Sequence, residues 1–202
     1  MTDKTPASPT LPIVIASGFS PIPLPLSPGI RRLRKKGCDI MVVPFRLEDM
    51  RDVETFAHHI VIAVEEAAAR SPTGRINLVG LSMGGVASLH AIKRLDMARL
   101  VDTFIAVGAP FHGSAYSWFA LPTIVFTRTG NQLSTKSSYL KRLRNEPLPL
   151  NTRFITIAGR DDRICPPTSA LLKGTEQVIG DFDHQAIFRT VKVHDLFVSF
   201  CR

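Results

Sequence analysis

The sequence has few cysteines, a single tryptophan and no long apolar run. Its three cysteines, Cys38, Cys165 and Cys201, show no CxxC spacing, which argues against a disulfide framework and against a zinc site. No apolar run approaches the length of a membrane span. Residues 1–10 are polar and proline-rich and lack the apolar segment of a signal peptide. We therefore expect a cytoplasmic protein with no integral membrane segment.

Acidic residues are also in the minority. The chain carries 25 basic and 17 acidic residues, which gives a net charge of +8. The basic clusters at residues 31–36 and 141–144 either attract an anionic surface such as phospholipid headgroups or form solvated helix faces. Neither aromatic interleaving nor a nucleic-acid motif accompanies these charges. We expect at most a weak contact with anionic surfaces, and no nucleic-acid partner.

What the chain does contain is a regular alternation of apolar and helix-like segments over 202 residues, a length that fits one domain. Buried strands are predicted at residues 11–17, 38–43, 75–79, 103–107, 153–158 and 176–179. Helices are predicted between them, one beginning at Ser27–Pro28 and a long one that opens at residues 49–52 and runs to about Arg70. This alternation is typical of an α/β fold with a mostly parallel sheet of about six strands flanked by helices.

The predicted domain organisation follows from the same pattern. We expect a flexible N-terminal leader at residues 1–10 and a single domain at residues 11–202. Residues 110–150, approximately, break the alternation and predict a cap-like insertion, since a long segment of this kind often covers a site.

The segment Gly80-Leu81-Ser82-Met83-Gly84-Gly85 stands between a predicted strand and a predicted helix. In this context G-x-S-x-G is typical of a nucleophilic serine, because a sharp turn exposes the hydroxyl at the positive end of the helix. The alternative is an ordinary glycine-rich turn, as found in many α/β proteins. The flanking strand and helix favour Ser82 as a nucleophile.

A nucleophilic serine needs a base that takes its proton and a carboxylate that orients the base. Asp161 and Asp162 follow the predicted strand at 153–158, and His184 follows the one at 176–179. His194, in a predicted C-terminal helix, is the weaker candidate for the base. The residues alone leave the choice between the two aspartates open.

Together these segments resemble the α/β-hydrolase superfamily, and more narrowly its small bacterial lipases and esterases. The resemblance is carried by the turn at Ser82, by His184, and by residues 107–114 (VGAPFHGS), 132–140 and 159–166 (GRDDRICP). It implies a minimal α/β-hydrolase with a catalytic triad of Ser82, His184 and Asp162 in the chain order Ser, Asp, His. Asp161 is the alternative acid.

The resemblance also implies an oxyanion hole made by the backbone N–H groups of Phe19 and Met83. The chain departs from the family pattern at Cys165, where valine is usual, and at Ser17, where histidine is common. Because the expected donors are backbone groups, the change at Ser17 leaves them in place but puts the anchoring of the loop in doubt.

The predicted insertion contains the only tryptophan, Trp118, and the apolar run at residues 119–126. Leu81, Trp118 and Phe119 are predicted substrate-binding residues, with Phe19 as a further wall residue. The alternative is that the apolar run packs the cap onto the sheet, and the sequence favours neither.

The predicted function is hydrolysis of carboxylic esters, of the esterase or lipase type, through an acyl-enzyme intermediate. The expected partner is a small, lipid-like ester, and no metal or organic cofactor is expected. A thioesterase or an acyltransferase would use the same residues. Two alternatives from other classes are a non-catalytic hydrolase-like binding module and a protein recruited to anionic membranes by residues 31–36. A complete Ser, Asp, His set argues against the binding module.

Overall fold

A computed structural model of the protein describes residues 11–19, 27–114 and 127–201. In this part of the chain six strands form one parallel sheet in the order β2-β1-β3-β4-β5-β6. The strands are β1 (Ile13–Ala16), β2 (Ile40–Val43), β3 (Ile76–Leu81), β4 (Val101–Val107), β5 (Arg153–Gly159) and β6 (Glu176–Gly180). The predicted α/β class is confirmed.

Helices connect the strands and cover both faces of the sheet. They are α1 (Pro28–Lys35), α2 (Val53–Arg70), α3 (Met83–Arg94), α4 (Arg128–Gln132), α5 (Ser138–Asn145), α6 (Pro167–Ala170), α7 (Ala186–Arg189) and α8 (Val191–Val198). Short 3₁₀ helices span Leu47–Met50 and Met97–Arg99. In the described residues, no helix is both long enough and apolar enough to cross a bilayer.

The core consists of two apolar layers, one on each face of the sheet. Alternate residues of β1 belong to different layers: Val14 packs with α2 and α3, whereas Ile15 packs with α1 and α8. Because both faces are covered, central strands are apolar along most of their length rather than at every second position. This explains why the sequence shows continuous apolar runs.

Both predicted helix starts lie at or next to the observed ones. The long helix predicted to open at residues 49–52 begins as α2 at Val53, and the Asp52 side chain caps it by accepting a hydrogen bond from Thr55 N at 2.7 Å. Helix α1 does begin after Ser27, but the Ser27 side chain makes no capping hydrogen bond. Its hydroxyl lies 3.4 Å from His194 Nδ1 instead.

Candidate active site

The turn between β3 and α3 holds Ser82 in a strained backbone conformation, with φ of 52° and ψ of −125°. Among the described residues, only Ser82 and Asp96 have a positive φ without being glycine. Such a conformation costs on the order of 1–3 kcal/mol and persists only where surrounding structure enforces it. The turn thereby presents the Ser82 hydroxyl at the carboxyl edge of the sheet, beside the N-terminus of α3.

Close packing explains the glycines around this turn. A side chain at Gly80 would overlap the backbone of Gly85, and one at Gly84 would overlap the carbonyl group of Ala16 at the end of β1. Both positions therefore require glycine for α3 to pack this closely against β1 and β3. The G-x-S-x-G pattern is a consequence of this packing.

Two further loops bring a histidine and a carboxylate to Ser82. His184 lies between β6 and α7, and Asp162 lies between β5 and α6. Ser82 Oγ is 3.0 Å from His184 Nε2, and His184 Nδ1 is 2.7 Å from Asp162 Oδ2. When Nδ1–H donates to the carboxylate, Nε2 is left as an acceptor for the Ser82 hydroxyl proton. The structure thus brings together the three side chains that the resemblance implied as a triad.

Asp162 is buried, with 2% of its surface exposed, and its second oxygen is also satisfied. Oδ1 accepts hydrogen bonds from Ile164 N at 2.9 Å and from Cys165 N at 2.7 Å. Such bonds offset the cost of burying a carboxylate and fix its orientation. Asp161, the alternative acid, is exposed. Of the two neighbouring aspartates, Asp162 is the one that meets His184.

Two neighbours of this carboxylate had no predicted role. Gly108, at the end of β4, has φ of 56°, and a Cβ atom there would lie 3.1 Å from Asp162 Oδ2. Glycine therefore leaves room for the Asp162–His184 pair. Burial, with the Asp162 charge as a smaller cause, raises the pKa of the Cys165 thiol well above its usual value. Cys165 is thus a neutral thiol that contributes its backbone N–H.

His194, the weaker candidate base, lies in the core, with 0% of its surface exposed. Its Nε2 is 3.1 Å from the carbonyl oxygen of Ile187, and its Nδ1 faces Ser27. Desolvation by burial lowers the pKa of His194. A side chain at Gly29 would overlap the imidazole ring, so α1 packs directly against it. These contacts are those of a structural histidine.

The loop after β1 lies directly against the turn that carries Ser82. A Cβ atom at Gly18 would lie 2.8 Å from Ser82 Cβ and 3.3 Å from Met83 N. The backbone next to Phe19 is therefore close to the first N–H of α3, where an oxyanion hole is expected. The Ser17 hydroxyl, at the position where histidine is common in the family, donates to the carbonyl oxygen of the adjacent residue Gly18 at 3.1 Å.

The predicted substrate-binding residues have different outcomes. The prediction that Leu81 binds substrate is corrected: this residue is 0% exposed and packs in the core layer formed with α1 and α8, not at the mouth of the site. Phe19 is 45% exposed, and its ring contacts Phe45 edge-on with centroids 6.2 Å apart. Trp118 and Phe119 lie outside the described residues, as do residues 1–10 and the run at 120–126. The leader and the cap therefore stay predictions.

A cleft of about 660 Å³ borders His184 and Asp162. Its walls come from the loop after β5 and the loop after β6, and they include Arg160, Arg163, Ile164, Asp183 and Gln185. Sequence reasoning missed these wall residues because exposed polar loop residues carry no distinguishing pattern. The cleft is large enough for part of a small organic molecule.

Comparison with known proteins agrees with the fold. The family model for lecithin:cholesterol acyltransferase matches residues 35–138, just over half of the chain. The mature form of a Bacillus licheniformis lipase is 20% identical, with a TM-score of 0.80 over 96% of this chain and 92% of that one. Lipase B of Aspergillus fumigatus is 18% identical, with a TM-score of 0.74 over 93% of this chain and 51% of that one.

A carboxyl esterase from a metagenome is 16% identical, with a TM-score of 0.71 over 98% of this chain and 75% of that one. No curated protein sequence matches the chain significantly. At such identities the structural matches establish the α/β-hydrolase fold, which is shared by proteins of many activities. The activity has to be argued from the site.

Proposed function

Because the chain belongs to the lecithin:cholesterol acyltransferase family, we propose that it is a serine hydrolase that cleaves carboxylic esters of lipid-like molecules. One observation carries the proposal: Ser82 Oγ is 3.0 Å from His184 Nε2 while His184 Nδ1 is 2.7 Å from Asp162 Oδ2. Hydrogen bonds in this order, at the carboxyl edge of a parallel sheet, suit acyl transfer.

In the proposed reaction, Ser82 Oγ attacks the acyl carbon while His184 Nε2 takes the hydroxyl proton. The resulting imidazolium is stabilised by the Asp162 carboxylate and returns the proton to the leaving alcohol, which leaves an acyl-enzyme. Water then attacks the acyl carbon, with His184 again as the base, and releases the carboxylic acid and free Ser82.

The negative oxygen formed in each step would be held by backbone N–H groups of Phe19 and Met83. The position of Met83 at the N-terminus of α3 supports this assignment, since the helix dipole favours negative charge there. The close approach of Gly18 to Met83 N supports the assignment of Phe19. Neither donor requires a particular side chain.

The first test is hydrolysis of p-nitrophenyl esters from acetate to palmitate by wild type and by Ser82→Ala. We expect turnover by wild type and a fall of at least about 10⁴-fold in kcat/KM for Ser82→Ala, because the covalent route is lost. The preferred chain length separates an esterase from a lipase. Absence of both turnover and covalent labelling by a fluorophosphonate would overturn the proposal and favour a binding module.

The family match also favours a second candidate function, acyl transfer to an alcohol other than water. The same acyl-enzyme would form, so the two functions differ only in what attacks it. Product analysis in the same assay, with an added long-chain alcohol, separates them. A transferase yields the new ester in preference to the free acid, whereas a hydrolase yields mostly acid.

A further inference from the structure

A buried serine outside the proposed triad is hydrogen-bonded to the loop that carries Asp162. Ser114, 4% exposed, donates from its hydroxyl to the carbonyl oxygen of Ile164 at 2.6 Å. That carbonyl belongs to the same peptide group as the N–H of Cys165, which donates to Asp162 Oδ1 at 2.7 Å. The Ile164–Cys165 peptide group therefore joins Ser114 to the carboxylate.

We propose that Ser114 is a positioning residue for the triad and acts on Asp162 through this peptide group. The proposal rests on the proposed function, since it concerns the same reaction. The hydrogen-bonded chain then runs from Ser114 through the Ile164–Cys165 peptide group and Asp162 to His184 and Ser82. In this role Ser114 acts through the peptide group and not on the reacting atoms.

Two physical effects carry the proposal. A peptide group is planar, so a hydrogen bond that fixes its carbonyl also fixes the direction of its N–H. Donation to the carbonyl oxygen also polarises the group, which strengthens the N–H as a donor to the carboxylate. Both effects hold Oδ1 of Asp162 in place and thereby keep Oδ2 directed at His184 Nδ1.

The chain offers a matched control in Ser169, on α6. Its hydroxyl donates to the carbonyl oxygen of Gly113 at 2.6 Å, and the residue is 5% exposed. Replacing Ser169 by alanine therefore removes a buried hydrogen bond of the same kind, at the residue next to Ser114. The removed bond is to the peptide group that precedes Ser114, and the Ser114 hydroxyl keeps its own bond to the carbonyl oxygen of Ile164.

The experiment compares wild type, Ser114→Ala, Ser114→Cys and Ser169→Ala with the p-nitrophenyl ester that wild type prefers. We expect Ser114→Ala to lower kcat about threefold to tenfold with KM unchanged, because the loss affects the chemical step alone. Because a cysteine thiol is a weaker donor of similar size, the kcat of Ser114→Cys should lie between the kcat values of wild type and Ser114→Ala. Ser169→Ala should keep kcat within about twofold, even where it lowers the melting temperature as much as Ser114→Ala does.

A spectroscopic reading separates positioning from general stability. The low-field proton NMR resonance of His184 Nδ1–H, in the bond to Asp162, should shift or broaden in both Ser114 variants and not in Ser169→Ala. Equal losses of kcat in Ser114→Ala and Ser169→Ala, or an unchanged resonance in the Ser114 variants, would overturn the proposal.

The design also separates this proposal from the proposed function. If wild type cleaves no ester, the proposed function fails, but the resonance still reports whether Ser114 acts on the Asp162–His184 bond. If Ser114→Ala does not fold, Ser114→Cys gives the same two readings. A shifted resonance in that variant supports the proposal, and an unchanged one contradicts it.

Discussion

His184 and His194 lie close together in the sequence but occupy two different kinds of environment. The side chain of His184 is 12% exposed, borders a cleft, and has a hydroxyl on one nitrogen and a carboxylate on the other. His194 is fully buried, with a backbone carbonyl on one nitrogen and the Ser27 hydroxyl on the other.

The comparison indicates that burial with two fixed partners gives a histidine a structural role, whereas an open cleft, a hydroxyl on one nitrogen and a carboxylate on the other suit it to proton transfer. Residue type is the same at both positions. The difference comes from the elements around them: a loop at the carboxyl edge of the sheet for His184, and the interface between α1 and α8 for His194.

The largest predicted effect is that alanine substitutions at these histidines have opposite consequences. His184→Ala should lower kcat/KM about 10⁴- to 10⁶-fold, because the base is lost, and should lower the free energy of unfolding less than His194→Ala does, because water from the cleft can hydrogen-bond to Asp162 in place of the imidazole. His194→Ala should lower the free energy of unfolding by about 2–3 kcal/mol, because it leaves a cavity and an unpaired carbonyl.

Kinetics below the melting temperature and urea unfolding of both variants check this. Ester hydrolysis by His194→Ala should stay within about threefold of wild type while the protein is folded. The prediction is contradicted if His194→Ala loses activity as completely as His184→Ala, or if His184→Ala is the less stable of the two.

The two neighbouring aspartates allow the same contrast with a somewhat smaller effect. Asp162→Asn should lower kcat about 10⁴-fold, because an amide no longer stabilises the imidazolium of His184 and favours the wrong tautomer. Asp161→Asn should change kcat less than about threefold, since Asp161 is exposed and surface substitutions have small effects. Kinetics of the two variants at one pH decide between them, and a larger loss in Asp161→Asn would reverse the assignment.

The sequence predicted the fold well because the central strands are mostly apolar. It also identified the turn at Ser82, since glycines that packing requires, such as Gly80 and Gly84, leave a visible pattern. Each predicted strand lies within about two residues of the observed one, which is the usual uncertainty in such boundaries. Local rules were sufficient where neighbours in sequence are neighbours in space.

The parts that sequence reasoning missed depend on contacts between distant segments. Whether Asp161 or Asp162 faces the histidine depends on the path of one loop, and the residues alone left this open. Leu81 looked like a wall residue because it adjoins Ser82, but β3 is covered on both faces and directs this side chain into the core. Ser114 lies in the segment 107–114 that carries the resemblance, but no role was assigned to it, because its partner Ile164 is 50 positions away.

The smallest predicted effect concerns His194 and the pH dependence of the free energy of unfolding. Desolvation lowers the pKa of His194 below 6.5, so in acid the unfolded chain binds a proton at this residue before the folded chain does. Its contribution to stability is complete above pH 6.5 and is lost as the pH falls through the pKa of the folded state, by up to about 1.4 kcal/mol per pH unit. His194→Gln should therefore show a shallower loss of unfolding free energy than wild type between about pH 7.5 and pH 5, measured by urea unfolding.

Burial also lowers the pKa of His90, but this residue is present in both proteins, so its effect cancels in the difference. Parallel pH profiles for the two proteins would mean that His194 accepts a proton in the folded state as readily as in the unfolded chain, which would remove the contrast with His184.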